Sequence, residues 1–272
     1  MTGERRKTVL AVVAHADDME FMAAGTIARF IDELGYDVYE YILTDNAKGS
    51  YRLTAEELVR VSAKEAQNAG AILGLKAVRL EGYVDGELDQ TPMHVLRGRI
   101  MAMIREVRAD IVMSWDPFAP YEEHPDHRHV AMATLEAAHF SGNPLFYPEH
   151  PHAPYQASEL YWFAKAPMNA RLYVDISDTI EKKIQALLAH DCQMELTVDM
   201  LAREADALGL DLPMLNDPDA ATRAQLIEMG IRNHCGELGK HTGVAYAELF
   251  RYERIGLLEQ ILGLPERGSD FG

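Results

Sequence analysis

The sequence contains few of the residues that would mark a secreted, membrane-spanning or nucleic-acid-binding protein. Its 272 residues include two cysteines, which argues against a disulfide-built scaffold and favours a reducing, cytoplasmic setting. No stretch of 18 uncharged residues occurs, so we expect no transmembrane helix and no membrane partner. Cations are also scarce: 26 Lys and Arg stand against 43 Asp and Glu, a net charge of −17. Because sequence-independent nucleic-acid binding depends on cationic contacts with phosphates, we expect no nucleic-acid partner.

The sequence does contain an ordinary supply of core residues, 48% hydrophobic and 25% charged, in an alternating pattern. Short apolar runs predict strands at Val9–Ala14, Val38–Thr44, Ala77–Glu81, Ile111–Trp115, Leu160–Ala164 and Leu172–Ile176. Helical spacing occurs between them, at Met19–Leu34, Thr54–Leu73, Met93–Val107 and Asp126–Phe140. The alternation predicts right-handed crossovers and an α/β, Rossmann-like three-layer fold, with a mostly parallel central sheet and helices on both faces.

The remaining segments give less information. Thr54 with Glu57 predicts a capping box at the start of the second helix. Pro, His and Asn predict a loop over 142–155, and a longer helical C-terminal part follows, interrupted near Pro213 and Pro218. Because no repeat, low-complexity tract or linker is present, we predict a single domain over residues 1–272.

The segment His15-Ala16-Asp17-Asp18 follows the first apolar strand directly. In an open parallel sheet, ligands bind at this carboxyl end of the strands. Imidazole and carboxylate are both good zinc ligands, and residues three apart at a helix start can converge on one point. His15 and Asp18 are therefore candidate metal ligands, and Asp17 is a candidate general base. The alternative is that either aspartate is only a helix cap, which is the ordinary role of Asp at such a position.

A second histidine pair lies at another predicted strand-to-helix junction. The strand Ile111–Trp115 leads into a proline-broken loop and then His124-Pro125-Asp126-His127. Pro125 suits the first turn of a helix, where its missing N–H costs nothing. Two such junctions facing one crevice predict a metal site. The segment 45–50, which follows another strand, lacks the glycine spacing of a nucleotide-binding loop and is interpreted as the rim of a substrate site.

These motifs resemble those of the PIG-L/LmbE family of zinc-dependent N-deacetylases, which has an N-terminal His-Pro-Asp-Asp and a later His-x-x-His followed by a helix. Further landmarks occur in family order: 25–27, 71–74, 174–177 and 243–248. The resemblance covers most of residues 8–253 and is closest to the branch that deacetylates N-acetylglucosamine and diacetylchitobiose. It implies a metal-dependent hydrolase that removes an acetyl group from an N-acetylglucosamine-type sugar, free or in a short chitin oligomer.

The resemblance also implies a role for each motif residue. The implied Zn²⁺ ligands are His15, Asp18 and His127. The implied catalytic residues are Asp17 as general base, protonated His124 as the group that stabilises the tetrahedral intermediate, and Asp126 as the residue that orients and tunes the neighbouring histidine. Other divalent transition metals also suit two histidines and an aspartate. Relatives imply a homo-oligomer, a trimer or hexamer.

Two positions depart from the family pattern. Ala16 replaces the usual proline, which should leave the ligands in place. The family commonly has an arginine three residues before the glutamate that aligns with Glu65, and that position is Ser62 here. Arg60 would have to replace it from another face of the helix, so the substrate contacts on that side differ.

Other functions stay open from the sequence alone. Within the same reaction class, the substrate is alternatively a glucosaminyl thiol conjugate of the mycothiol or bacillithiol type. In another class, a metal-dependent sugar-nucleotide transferase would use Asp17 and Asp18 to hold a divalent ion on a diphosphate, although both motif loops have few basic residues. A structural metal site without catalysis would normally close all four ligand positions.

Overall fold

The computed structural model describes residues 5–263 and 268–271. The predicted domain 1–272 also includes residues 1–4, 264–267 and 272, which lie outside the described residues. The strands are β1 (Thr8–Val13), β2 (Asp37–Thr44), β3 (Ala77–Tyr83), β4 (Ile111–Trp115), β5 (Glu159–Phe163), β6 (Leu172–Asp175) and β7 (Ala247–Arg254). The helices are α1 (Asp18–Asp32), α2 (Ala55–Leu73), α3 (Met93–Val107), α4 (Pro125–Phe140), α5 (Ile180–Leu188), α6 (Asp191–Leu208), α7 (Ala220–Lys240) and α8 (Leu258–Leu262).

The strands form one sheet in the order β3-β2-β1-β4-β5-β7-β6. The pairs β3–β2, β2–β1, β1–β4 and β4–β5 are parallel, and β7 is antiparallel to both of its neighbours. The strand order reverses between β1 and β4, because β2 lies on one side of β1 and β4 on the other. The crevice outside the carboxyl ends of these two strands is the usual ligand site of such a sheet. The predicted α/β fold with a mostly parallel sheet is confirmed.

The predicted central elements agree with the structure to within about two residues. All residues of β1 and β4 are buried, as expected for strands covered by helices on both faces. The capping box of α2 is present: the Thr54 hydroxyl accepts the Glu57 backbone N–H, and the Glu57 carboxylate accepts the Thr54 N–H at 3.0 Å. In the described part of the chain, no helix combines the length and apolar character needed to cross a bilayer.

The prediction of a helical C-terminal part is wrong for β7. This strand carries four charged side chains, so its sequence lacks the apolar run that predicts the other strands. Tertiary partners contact these side chains: Arg251 pairs with Asp116 at 2.7 Å, and Glu253 accepts a hydrogen bond from Trp162 at 3.2 Å. The strand therefore forms because the rest of the fold supplies its partners.

A buried ion pair fixes helix α1, which carries the first motif, against β7 and α5. The Lys183 ammonium is fully buried and donates to Glu248 at 2.7 Å and to the carbonyl oxygens of Glu20 and Phe21. The Glu248 carboxylate also accepts hydrogen bonds from the backbone N–H and the hydroxyl group of Thr26 and from the backbone N–H of Gly25. Both charges are therefore fully hydrogen-bonded, which is the condition for tolerating a buried pair.

A second buried acidic group has no hydrogen-bond partner. Glu40 on β2 is fully buried, and both of its carboxylate oxygens are unpaired. Burial, followed by the negative charges of Glu20, Asp18 and Asp17, raises the pKa of Glu40 well above its usual range. The carboxyl is therefore protonated in the folded protein over a pH range in which it would ionise in the unfolded chain.

We expect Glu40→Gln to remove a pH-dependent loss of stability. Between the unfolded pKa of a glutamate, about 4.3, and the raised folded pKa, the folded state binds one more proton, so stability falls by about 1.4 kcal/mol per pH unit. Denaturant unfolding in the presence of a chelator, at pH 5 to 8, should show that the free energy of unfolding of the variant increases relative to that of the wild type as pH rises. The exposed Glu56→Gln is the matched control, with no such trend. A difference between Glu40→Gln and the wild type that stays constant with pH would contradict the protonated carboxyl.

Candidate active site

The two predicted motifs lie next to each other at the reversal of the strand order. His15 follows β1, Asp18 begins α1, and His127 lies in the first turn of α4. The His15 Nδ1 is 3.1 Å from the His127 Nε2, which is 3.2 Å from the Asp18 Oδ1. The third side of this triangle, from His15 Nδ1 to Asp18 Oδ1, measures 3.7 Å. Ligand atoms at zinc bond lengths in a tetrahedron are about 3.4 Å apart, so the triangle has the size of a metal site.

Each of the two histidines presents a lone pair to the centre of this triangle. His127 Nδ1 is 2.9 Å from the Glu122 carboxylate, so it carries the proton and leaves Nε2 as an acceptor. His15 Nε2 lies 3.2 Å from the Asp85 carboxylate and 3.4 Å from that of Asp126, which leaves Nδ1 as an acceptor. Two acceptor atoms that face each other at 3.1 Å repel unless a metal ion or a proton lies between them. The donor set therefore fits a metal ion, with carboxylates fixing each histidine as in known metal sites.

The Asp18 carboxylate is held in place through one oxygen only. Its Oδ2 accepts the backbone N–H of Ala14 at 3.0 Å, that of His15 at 2.9 Å and the Trp115 indole N–H at 2.9 Å. Burial alone would raise the pKa of Asp18, but the charge and hydrogen bonds of His127 and His15 outweigh it and hold the pKa well below its usual range. The carboxylate is therefore ionised, and its Oδ1 faces His127 and His15 at 3.2 and 3.7 Å.

Trp115 supports both motifs at once. Besides its bond to Asp18, its ring stacks on that of His127, with centroids 3.9 Å apart and planes at 11°. Sequence reasoning gave Trp115 no role, and it also missed Glu122 and the contact of Asp85 with His15. No spacing rule connects Asp85 to His15, because the two residues are 70 positions apart and meet only through the sheet order.

Asp17 occupies the cap position of α1, but its side chain makes no capping hydrogen bond. It lines the cavity that contains the metal-ligand triangle. Burial, followed by the charge of Asp18, raises the pKa of Asp17 to about 6. The helix-cap alternative therefore does not account for the Asp17 carboxylate, which is available to a bound substrate.

His124 caps helix α4 through its ring. Its Nδ1 accepts the backbone N–H of Asp126 at 3.2 Å, so a neutral ring carries its proton on Nε2. Burial, followed by the charges of His15 and His127, holds the pKa of His124 below its usual range. Both observations favour the neutral ring, with Nε2–H as donor, over the protonated form expected from the resemblance.

Asp126 lies between the first motif and His124 of its own segment, with ligand atoms of His15, His124 and Asp126 within 4.8 Å of one another. Its carboxylate accepts the backbone N–H groups of Gly86 at 2.6 Å and Leu88 at 3.0 Å, and it lies 3.4 Å from His15 Nε2. It thereby connects the loop after β3 with both motifs. The histidine that it can orient is His15.

The position that departs from the family pattern contributes no cation to the cavity. Ser62 is fully buried, and its hydroxyl donates to the carbonyl of Val59 in its own helix. Arg60 is exposed on α2, outside the residues that line the cavity. Lys48 and Lys165 do line it. Segment 45–50 forms part of the cavity wall, as the rim interpretation predicts.

We expect Glu122→Gln to weaken metal binding by about 10- to 100-fold, because the substitution removes the carboxylate that orients His127 and raises its basicity. The neighbouring Glu123 is exposed and pairs with Lys165 at 2.8 Å, so Glu123→Gln is the matched control. Competition with a chromophoric chelator measures both affinities. Equal affinities in the two variants would contradict the role given to Glu122.

Comparison with known proteins decides the family. The profile of the PIG-L family, described as GlcNAc-PI de-N-acetylase, matches residues 10–138. The chain is 35% identical to diacetylchitobiose deacetylase of Thermococcus kodakarensis over 195 residues. This alignment covers 69% of the chain and 70% of the relative. The chain belongs to the PIG-L family. As a PIG-L member it is a hydrolase of the N-deacetylase class, as the motif resemblance predicts.

Two further proteins extend this PIG-L assignment. A probable N-acetyl-alpha-D-glucosaminyl L-malate deacetylase of Bacillus anthracis is 30% identical over 209 residues, 75% of this chain and 88% of the relative. The solved N,N'-diacetylchitobiose deacetylase from Pyrococcus horikoshii, bound to an inhibitor, superimposes with a TM-score of 0.74 at 27% identity. That match covers 91% of this chain and 84% of the other, so the shared fold includes elements well beyond the two motifs.

Proposed function

We propose that this PIG-L member is a zinc-dependent deacetylase that removes the acetyl group from an N-acetylglucosamine-type sugar, free or in a short chitin oligomer. The observation that carries the proposal is the convergence of the His15, Asp18 and His127 donor atoms in an open cavity, which the Asp17 carboxylate also lines. The names of the diacetylchitobiose deacetylase relatives support the choice of sugar.

Two nitrogen ligands and one oxygen ligand suit zinc, with a fourth position open, as catalytic sites keep it. The same donors also suit other first-row divalent ions, so zinc is the first metal to test. When bound, the metal supplies Lewis-acid polarisation and lowers the pKa of water towards neutrality.

The protein residues then have separate tasks. Asp17 accepts a proton from the attacking water, while the Nε2–H of His124 donates a hydrogen bond to the oxygen that becomes negative at the carbonyl. Asp17 finally returns the proton to the departing amine, so that water and amide yield acetate and a free amino sugar. Asp126 and Glu122 hold His15 and His127 in orientation throughout.

The glucosaminyl conjugate remains a second candidate within the same chemistry. It is supported by the name of the glucosaminyl L-malate deacetylase relative, and the cavity of about 560 Å³ has the usual size of a small-molecule site. The sugar-nucleotide transferase gains no such support. The two lysines that line the cavity are already paired, Lys48 with Glu87 at 2.7 Å and Lys165 with Glu123 at 2.8 Å.

The test is acetate release by protein of known metal content. N-acetylglucosamine, diacetylchitobiose and an N-acetylglucosaminyl L-malate conjugate are the substrates to compare. We expect acetate release from N-acetylglucosamine and diacetylchitobiose. Faster release from the L-malate conjugate than from either of these would favour the conjugate as substrate. Absence of acetate from all three, with zinc bound, would overturn the proposed substrate class.

Three properties accompany the proposal: one domain over residues 1–272, a homo-oligomer of three or six chains, and a cytoplasmic location. Light scattering after size-exclusion chromatography measures the mass in solution. A monomer at micromolar concentration would contradict the oligomer.

A further inference from the structure

The cavity that holds the metal-ligand triangle has a second, apolar part. Away from the two motifs, its wall is formed by Phe21 and Met22 of α1, Leu196 and Met200 of α6, and Tyr51 of the loop before α2. Tyr51 and Met200 are each 54% exposed. Large apolar side chains left open in a concave site mark a place where an apolar group can bind.

Helix α6 presents one continuous face to this cavity. Its lining residues are Gln193, Leu196, Thr197 and Met200, at the spacing of a single helical stripe. A glycine allows the close approach of this face to the loop. A Cβ at Gly49 would lie 3.1 Å from the Gln193 side chain and 3.4 Å from that of Leu196. The apolar wall is thus a built part of the site.

Several polar groups around this wall already have partners within the protein. The Thr197 hydroxyl donates to the Gln193 carbonyl oxygen at 2.9 Å, within its own helix. The Ser50 hydroxyl accepts two backbone N–H groups of its own loop, both at 3.0 Å. The Lys48 ammonium pairs with Glu87. A further sugar ring, with hydroxyl groups on every side, would need several hydrogen-bond partners against this wall, whereas an alkyl or aryl group needs none.

We propose that the site also accepts, and prefers, an N-acylglucosamine-type sugar that carries an alkyl or aryl group, and that this group lies against Leu196 and Met200 of α6. The inference rests on the proposed deacetylase function, because the reacting amide must lie at the metal ligands. It adds a specificity determinant on a helix that contains neither motif. The apolar group is attached either as an aglycone or as a longer N-acyl chain, and the two sources require separate arms in the test.

The first arm uses methyl, butyl and hexyl glycosides of N-acetylglucosamine, and the second uses N-acetyl, N-butanoyl and N-hexanoyl glucosamine. We expect kcat/KM for carboxylate release and the affinity measured by calorimetry to rise at least tenfold along one series. A fully buried methylene contributes a factor of about four, so this expectation allows for partial burial. The series that rises identifies the point of attachment.

The matched variants are Met200→Ser and Met229→Ser, since Met229 is 53% exposed on α7 and lies outside the cavity lining. Met200→Ser should reduce the hexyl-to-methyl ratio at least threefold, and Met229→Ser should retain the wild-type ratio. Flat rates and affinities in both series, or equal ratios in the two variants, would overturn the inference. If acetate is released but neither kcat/KM nor affinity changes with chain length, the deacetylase function is retained and the apolar site is contradicted. If affinity rises with chain length but no acetate is released, the apolar site is supported and the deacetylase function is contradicted.

Discussion

Asp17→Asn should retain the metal and lose catalysis, with acetate release reduced by about 10²- to 10⁴-fold, the usual contribution of a general base. The structure gives the reason for this separation. The Asp17 side chain makes no capping bond to α1, and the metal-sized triangle is formed by other residues. Asparagine also fits a helix cap as well as aspartate does, so the fold should be unaffected.

His15→Ala is the informative comparison for Asp17→Asn. It removes one of the three donor atoms and should lower metal content, together with activity. Metal analysis of dialysed protein and acetate release, measured on the same samples, distinguish the two variants. Retained metal in His15→Ala, or wild-type rates in Asp17→Asn, would contradict the assignment of these two residues.

Lys183→Met should destabilise the protein by about 3–5 kcal/mol, because it leaves the buried Glu248 carboxylate without its countercharge. For a chain of this size, this corresponds to a fall in melting temperature of roughly 10 °C. The effect should reach the active site, since Lys183 also holds the first turn of α1 through the carbonyl oxygens of Glu20 and Phe21.

The neighbouring Lys182→Met is the control, because Lys182 pairs at the surface with Asp32 and such pairs contribute about 0–1 kcal/mol. The double variant Lys183→Met with Glu248→Gln should recover part of the lost stability. The amide oxygen of the glutamine introduced at position 248 can still accept the two hydrogen bonds from Thr26, and neither substituted side chain carries a charge. Equal losses in Lys182→Met and Lys183→Met would contradict the importance of the buried pair.

The sequence predicts the site well where function depends on residues next to strand ends. His15, Asp17 and Asp18 follow β1, and His124 and His127 follow β4. Local apolar patterns locate these strands, and the geometry of a parallel sheet brings their carboxyl ends together. Neither step requires knowledge of distant contacts, which explains why the fold class and the positions of both motifs could be predicted.

Two of the groups that orient the metal ligands could not be predicted from the sequence. Glu122 and Asp85 lie in loops, and nothing in their local sequence indicates which histidine they contact. The strand β7 was missed for a related reason. Its charged residues, such as Glu248 and Arg251, are stabilised by partners far away in the chain. Tertiary contacts, which local sequence patterns do not reveal, therefore determine both the strand β7 and the partners of the metal-ligand histidines.

The apolar wall of α6 is a further case. Its stripe of Leu196 and Met200 has the spacing of an ordinary core-facing helix, and many such stripes are buried. Only the structure shows that this stripe faces the cavity and leaves Met200 half-exposed. The determinants of substrate preference are therefore less visible in the sequence than those of the reaction.

The most direct test of metal-assisted hydrolysis is the origin of the oxygen in the released acetate. Zinc-loaded protein would act on N-acetylglucosamine in ¹⁸O-labelled water, with a chelated sample in parallel. We expect one solvent oxygen in each acetate, an equal amount of free amino sugar, and loss of release after chelation that zinc restores. Acetate formed without solvent oxygen, or at an unchanged rate in the chelated sample, would contradict metal-assisted attack by water.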